Sequence, residues 1–241
     1  MTLEICCDSY ESILNAKNAG ANRLELCKSL DMDGLTPTMG LVDLALRQTD
    51  IELFIMIRPR AGNFIYNELE FEEIKQDILF FKQRDTDGFV FGALKPDGSL
   101  NLEMIEEVTK LAYPKKVALH RAFDQSIDGE EKIDQLIDIG ICRILTSGKK
   151  DRAIDGIDLL KDIQKSYGDR IEIMAGSGVV AENIKEIYDK TKIKSFHMSA
   201  RKVRIVDNQF KSDLSFADED IRIASFSKVK KACKIIKKLG K

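Results

Sequence analysis

Histidine is scarce in this chain: of 241 residues, only His120 and His197 carry an imidazole. There is no His-x-His and no His-Glu-x-x-His spacing, so a zinc site has little to build on. No apolar run approaches the roughly 20 residues of a membrane helix, and no membrane association is expected. The opening MTLEICCDSYES lacks a basic stretch followed by a long apolar one, so no secretory leader is expected either. Five cysteines, an odd number with an adjacent pair at Cys6-Cys7, do not make a disulfide framework and point to a reducing, cytoplasmic compartment. A formal net charge of −2 gives no general pull toward nucleic acid. The lysine-rich SKVKKACKIIKKLGK is a local exception, and reads as cations in the last turns of a helix, where the macrodipole favours them. A G-x-G-x-x-G fingerprint is also missing after the first apolar run, which argues against an open dinucleotide-binding sheet.

What the chain does have is a repeating alternation. Short apolar runs fall at 2–6, 23–27, 52–57, 88–92, 117–120, 142–146, 171–175 and 195–199. Amphipathic stretches separate them at 9–19, 37–47, 69–82, 102–111, 130–139, 152–166, 181–188 and, last, 226–239. Ser9 suits a helix N-cap, and Thr36-Pro37 suits a cap followed by a first-turn proline. Gly20 and Gly140 stand where a left-handed residue ends a helix. Eight strand–helix units with short connections predict a parallel sheet closed on itself, an α/β protein built as a single (β/α)8 TIM barrel over residues 1–241.

In such a barrel the chemistry gathers at the carboxyl ends of the strands. Alternation places Glu4 with Cys6, and Glu25 with Cys27, on one face of adjacent strands. If that face is inward, the carboxylates need counter-ions, and Arg58 and Arg60 of IRPR are the nearest. His120 ends the fifth strand, with Arg121 and Asp124 beside it. Asp124 would orient the imidazole for general acid–base work, with Glu4 or Glu25 as a second carboxylate. The turn Gly176-Ser177-Gly178 after the seventh strand leads into a helix and presents backbone N–H groups to an anion. Ser147-Gly148, His197, Ser199 and Arg201 converge on the same mouth. Cys6 and Cys27, about 4.8 Å apart in strand spacing, either simply pack or share one soft ion such as Cu(I).

Taken together, LEICCDS, GANRLELC, GLTPTMG, MIRPRAGNF, HRAFD, ILTSG, MAGSGV and FHMSAR resemble the CutC family of copper homeostasis proteins, in family order over nearly the whole chain. The resemblance implies a TIM barrel, a cytoplasmic location, a homodimer or higher homo-oligomer, and a role in copper handling with Cys6 and Cys27 holding Cu(I). Two functions are therefore carried forward. One is a copper-binding homeostasis protein. The other is an enzyme acting on a small anionic or phosphorylated substrate, with Arg58, Arg60, Ser147, Gly176 and Gly178 binding the anion and His120 moving a proton.

Overall fold

The computed structural model describes residues 1–205 and 221–240. Residues 206–220 and 241, which the single-domain expectation also spans, lie outside the described residues. Eight parallel strands pair in chain order: β1 (Thr2–Cys7), β2 (Arg23–Leu26), β3 (Glu52–Met56), β4 (Gly88–Phe91), β5 (Lys116–Leu119), β6 (Ile141–Thr146), β7 (Glu172–Ala175) and β8 (Ser195–Met198). The sheet closes where β8 pairs with β1, Thr2 opposite Ser195 and Ile5 opposite Met198. Around it run α1 (Tyr10–Ala19), α2 (Met39–Gln48), α3 (Glu68–Lys82), α4 (Leu102–Ala112), α5 (Ala122–Gln125), α6 (Ile133–Asp138), α7 (Ile157–Tyr167), α8 (Ala181–Thr191) and α9 (Phe226–Leu239). This is the TIM barrel that the alternation predicts.

Two cores follow from strand alternation. Outward-facing Leu3, Ile5, Leu24, Leu26, Phe89 and Phe91 are fully buried beneath the helices. Each contributes about 1.5–3 kcal/mol by leaving water. Inside the barrel, Cys27, Phe54, Met56, Val90 and Ala118 form a second, smaller cluster. Gly88 makes room for it, because a Cβ there would lie 2.5 Å from Phe54 Cε1.

Local signals hold at several ends. The Ser9 side chain accepts the Ser12 N–H, and Gly20 and Gly140 take φ of +95° and +90°. One cap differs. Helix α2 starts at Met39, with Thr38 as its N-cap, because Thr36 Oγ1 instead accepts the Arg58 N–H at 3.0 Å. The stretch at 130–139 divides into a 3-10 turn, Glu130–Lys132, and α6, and α7 is likewise preceded by a 3-10 turn, Ala153–Gly156. Two features had no sequence forecast: the four-residue α5, and an antiparallel pair β9 (Arg201–Val203) and β10 (Arg222–Ala224). The pair docks on α1, where Ala224 N–H donates to Ser12 Oγ at 3.0 Å and Asn15 Nδ2 donates to Ala224 O at 3.0 Å. No helix among the described residues is long and apolar enough to cross a membrane.

Candidate functional site

The barrel interior is charged at its base. Arg23 Nε donates to Glu4 Oε2 at 2.5 Å, and Arg23 Nη2 to Glu172 Oε1 at 2.7 Å. Arg143 Nη2 stands 3.2 Å from Glu4 Oε2, with its guanidinium carbon 4.2 Å from the centre of the Phe54 ring. The counter-ions of Glu4 are thus Arg23 and Arg143, and Glu25 forms no ion pair among the described residues. Arg58 and Arg60, expected in that role, form no ion pair with Glu4 or Glu25 among the described residues. Both missed arginines carried a signal: they stand at alternate, inward positions of apolar strands, where a charge must be paired.

Above this base lie His197 and Glu25. His197 Nδ1 donates to Glu4 Oε1 at 2.8 Å. Burial alone would raise the Glu4 pKa, but Arg143, the His197 hydrogen bond and Arg23 hold it well below the carboxylate range. Burial disfavours the His197 cation, yet Cys6, Glu25 and Glu4 outweigh it and lift the imidazole above its ordinary value. Glu25 goes the other way from Glu4. Burial pushes its carboxyl up to about 7 against the attraction of His197, and the charge of Glu4 adds to the rise. Its Oε2 has no protein partner.

A cavity of about 730 Å³ opens over these groups at the carboxyl ends of the strands. Cys6, Glu25, Arg58, His120 and His197 form its depth, and Ser177, Gly178, Ser199, Arg201, Lys228 and Lys231 are among its upper lining. Residues 178–182 bring the amino end of α8 to the wall. Lys228 and Lys231 belong to the first turns of α9, whereas Lys237 and Lys238 occupy the last turn. The lysine-rich segment therefore divides between the cavity rim and the helix dipole, which composition alone could not separate.

Several expected members fall elsewhere. Asp124 makes no hydrogen bond to His120 among the described residues. Its carboxylate accepts from Thr146 Oγ1 at 2.6 Å, the Ser147 N–H at 3.0 Å, the Lys149 N–H at 3.2 Å and Arg121 Nε at 2.8 Å. It clamps the loop after β6. Ser147 is buried in that clamp, and Gly148, at φ +69°, passes so close to Gly156 that a Cβ would lie 2.3 Å from its carbonyl oxygen. Gly176 supports the turn by donating to Thr146 O at 3.0 Å. Arg60 pairs with Glu70 and does not line the cavity. His120 does line it, but burial and the charge of Arg58 push its pKa down to about 3, so it is a poor proton carrier near neutrality.

The two thiols face the interior from adjacent strands, with Cys6 opposite Glu25 in the β1–β2 register. Cys27 stands two positions nearer the carboxyl end but outside the cavity lining, packed among Phe54 and Met56, and its Sγ is 3.7 Å from Cys7 O. Burial pushes its thiol well up, with Cys6 and Glu25 adding to the effect. Thiolates are soft donors of the kind Cu(I) takes, and both thiols would have to lose their protons to offer them. A harder set, Glu4, Glu25 and His197, offers ligand atoms within 4.8 Å of one another. Glu4 and His197 are already bonded to each other there, and Glu4 to Arg23, so a cation would have to displace these partners.

Comparison with known proteins agrees with this geometry. A "family protein CutC" of Glaesserella parasuis is 38% identical over 240 residues, covering 98% of this chain and 99% of the relative. A human "copper homeostasis protein cutC homolog" is 35% identical over 235 residues, covering 95% of this chain and 86% of the relative. The crystal structure of CutC from Streptococcus agalactiae superposes with a TM-score of 0.78 at 33% identity, covering 83% of this chain and 98% of that one. A phosphoribosylanthranilate isomerase of Thermotoga maritima, at 12% identity and a TM-score of 0.58, shares the barrel alone. With residues 1–202 matching the family along the strands that build the mouth, this chain belongs to the CutC family.

Proposed function

We propose that this chain is an acid–base enzyme that binds a small anionic molecule in the mouth of a single barrel domain. Glu25 carries the reading. It is a buried carboxyl in a cavity, with one oxygen unpartnered, titrating at about 7. A group with that pKa takes and returns protons near neutrality, which is what general acid–base catalysis needs. In the step this supports, Glu25 removes a proton from the substrate. The electron pair stays on the substrate as an enolate or alkoxide, and the proton is returned to a neighbouring atom. His197, held as a cation by Glu4, stabilises the charge that develops. At the rim Lys228 donates to Arg201 O, while Arg201 pairs with Asp31 and Lys231 with Glu182, so the attraction for an anion rests on the deeper His197 and Arg58.

The test is protein-dependent deuterium uptake. Pools of small 2-oxo acids and sugar phosphates are incubated in heavy water and read by mass spectrometry. Uptake at a carbon-bound or transferred position should appear with the wild type and disappear with Glu25→Gln. No uptake from any pool, together with a Glu25 that titrates near the ordinary carboxylate value, would end this reading.

A second reading has its own observation: Cys6 and Cys27 open on one interior from neighbouring strands, next to Met56. We infer that Cu(I), if it is cargo here, is held between these thiols with loss of both protons. The human relative's name, a copper homeostasis protein homolog, supports a role in copper handling. Competition with a Cu(I) chelator should show tight binding lost in the Cys6→Ser/Cys27→Ser double variant and kept in Glu25→Gln. Equal affinity in the double variant would place copper elsewhere. A reducing, cytoplasmic setting is supported by five unpaired cysteines, most of them buried. Self-association is supported by exposed apolar side chains on α2 and α3, among them Met39 and Phe80.

A further inference from the structure

Three polar atoms without a protein partner belong to residues that line one cavity: Glu25 Oε2, Arg58 Nε and His120 Nε2. Each of these residues is only 3% exposed. Leaving such a group unpaired costs about 1–3 kcal/mol, and more when it is charged. Seven such atoms occur among the described residues, and these three are the ones whose residues line the cavity, where a ligand can supply the missing partners.

Two of the three stand together. His120 and Arg58 both rest on Phe64, the imidazole centroid 4.4 Å and the guanidinium carbon 5.1 Å from the ring centre. The His120 tautomer is determined by its surroundings. Nδ1 accepts the Ala122 N–H at 3.1 Å, so the single proton of the neutral ring sits on Nε2. Gly92 makes room for the ring, since a Cβ there would lie 2.7 Å from His120 Nδ1 and Cε1. Arg58 cannot swing either. Nη1 donates to Met32 O at 2.7 Å and Gly34 O at 3.0 Å, and Nη2 to Gly62 O at 2.8 Å. The result is one immobile N–H donor beside one immobile positive charge. The Tyr66 hydroxyl lies within the charge and hydrogen-bonding reach of Arg58, so a ligand shares Arg58 with it and His120 Nε2 is the donor kept for the ligand alone.

We propose that this wall is a carboxylate subsite, in which His120 Nε2–H donates to an oxygen of the ligand and Arg58 neutralises its charge, so that the cavity takes a small organic acid. The proposal rests on reading the cavity as a small-molecule site and names the class of molecule. One guanidinium with three of its five N–H groups already on carbonyls balances one negative charge, which suits a carboxylate. A phosphate group brings about −1.5 to −2, more than this single charge balances. His120 is thereby a binding residue whose neutrality is its function, in place of the proton carrier expected from the sequence.

The two histidines make the test direct. Protein labelled with nitrogen-15 histidine is titrated near neutral pH with sodium propionate, pyruvate or inorganic phosphate at matched ionic strength. The Nε2 resonance of His120 should shift saturably with the carboxylates and stay unmoved by phosphate. His120→Phe, which keeps a ring on Phe64, should bind propionate roughly tenfold more weakly by calorimetry. If that variant fails to fold, the wild-type titration stands alone. A shift with phosphate only, no shift with any probe, or a His120 proton found on Nδ1 would overturn the proposal. Carboxylate shifts without deuterium uptake would remove the proton-transfer reading and keep the subsite. Uptake without carboxylate shifts would remove the subsite alone.

Discussion

Glu4 and Glu25 stand on adjacent strands, both buried, and their pKa values move in opposite directions. The difference is the neighbours: Glu4 meets two arginines and an imidazole, whereas Glu25 keeps a bare oxygen. Such a divided pair is what lets one acid stay ionised while the other exchanges a proton. It also predicts a pH dependence. The Glu25 pKa is raised from 4.5 to about 7 in the folded chain. Between those values the unfolded chain has given up a proton that the folded chain keeps, so stability falls as pH rises through this window and stays reduced above it. Glu25→Gln removes this loss. Urea melts should show the variant gaining on wild type by on the order of 2 kcal/mol between acid and mildly alkaline pH. A constant difference across that range would mean that Glu25 is not perturbed. At this scale, alternation made the inward pairs Glu4–Cys6 and Glu25–Cys27 legible. Arg143 was not, because it reaches Glu4 from β6, and which distant strands face each other depends on closure, whereas Arg23, opposite Glu4 on neighbouring β2, followed from the same alternation and was missed.

At the scale of elements, strand and helix positions were readable because apolar runs and caps are local signals. Misreadings arose where a tertiary partner took a local group. Thr36 looks like a cap until the Arg58 N–H claims its hydroxyl, and the cap moves to Thr38. Asp124 looks like a partner for His120 until it is drawn to the donors of the loop after β6. Helix α5 is one turn long and has no periodicity to detect. The β9–β10 pair joins segments separated along the chain, so neither strand announces itself alone. The consequence reaches the cavity, since Ser225 N–H donates to Ala200 O beside the Arg201 rim and the Ser225 side chain caps α9, which carries Lys228 and Lys231 to the same rim.

For the whole molecule, closure of β8 on β1 is the decisive event. It brings His197 onto Glu4 from 193 residues away along the chain and so completes the charged base. The outer surface bears on assembly. Met39 and Phe80 are 49% and 42% exposed, and Arg84 bridges them, its Nη2 3.4 Å from the Met39 sulfur and its guanidinium 5.1 Å from the Phe80 ring. Sedimentation at micromolar concentration should give more than one subunit per particle, and Phe80→Glu should lower it. A strict monomer with wild-type sequence would count against self-association. The barrel itself was contained in the order of apolar and amphipathic stretches, since period and spacing depend only on near neighbours. So were the inward thiols and carboxylates of β1 and β2. The protonation states were not. Whether Glu25 sits near neutrality, Glu4 far below it and His120 uncharged depends on burial and on charges brought in from distant strands. These are properties of a closed interior that no stretch of sequence possesses by itself.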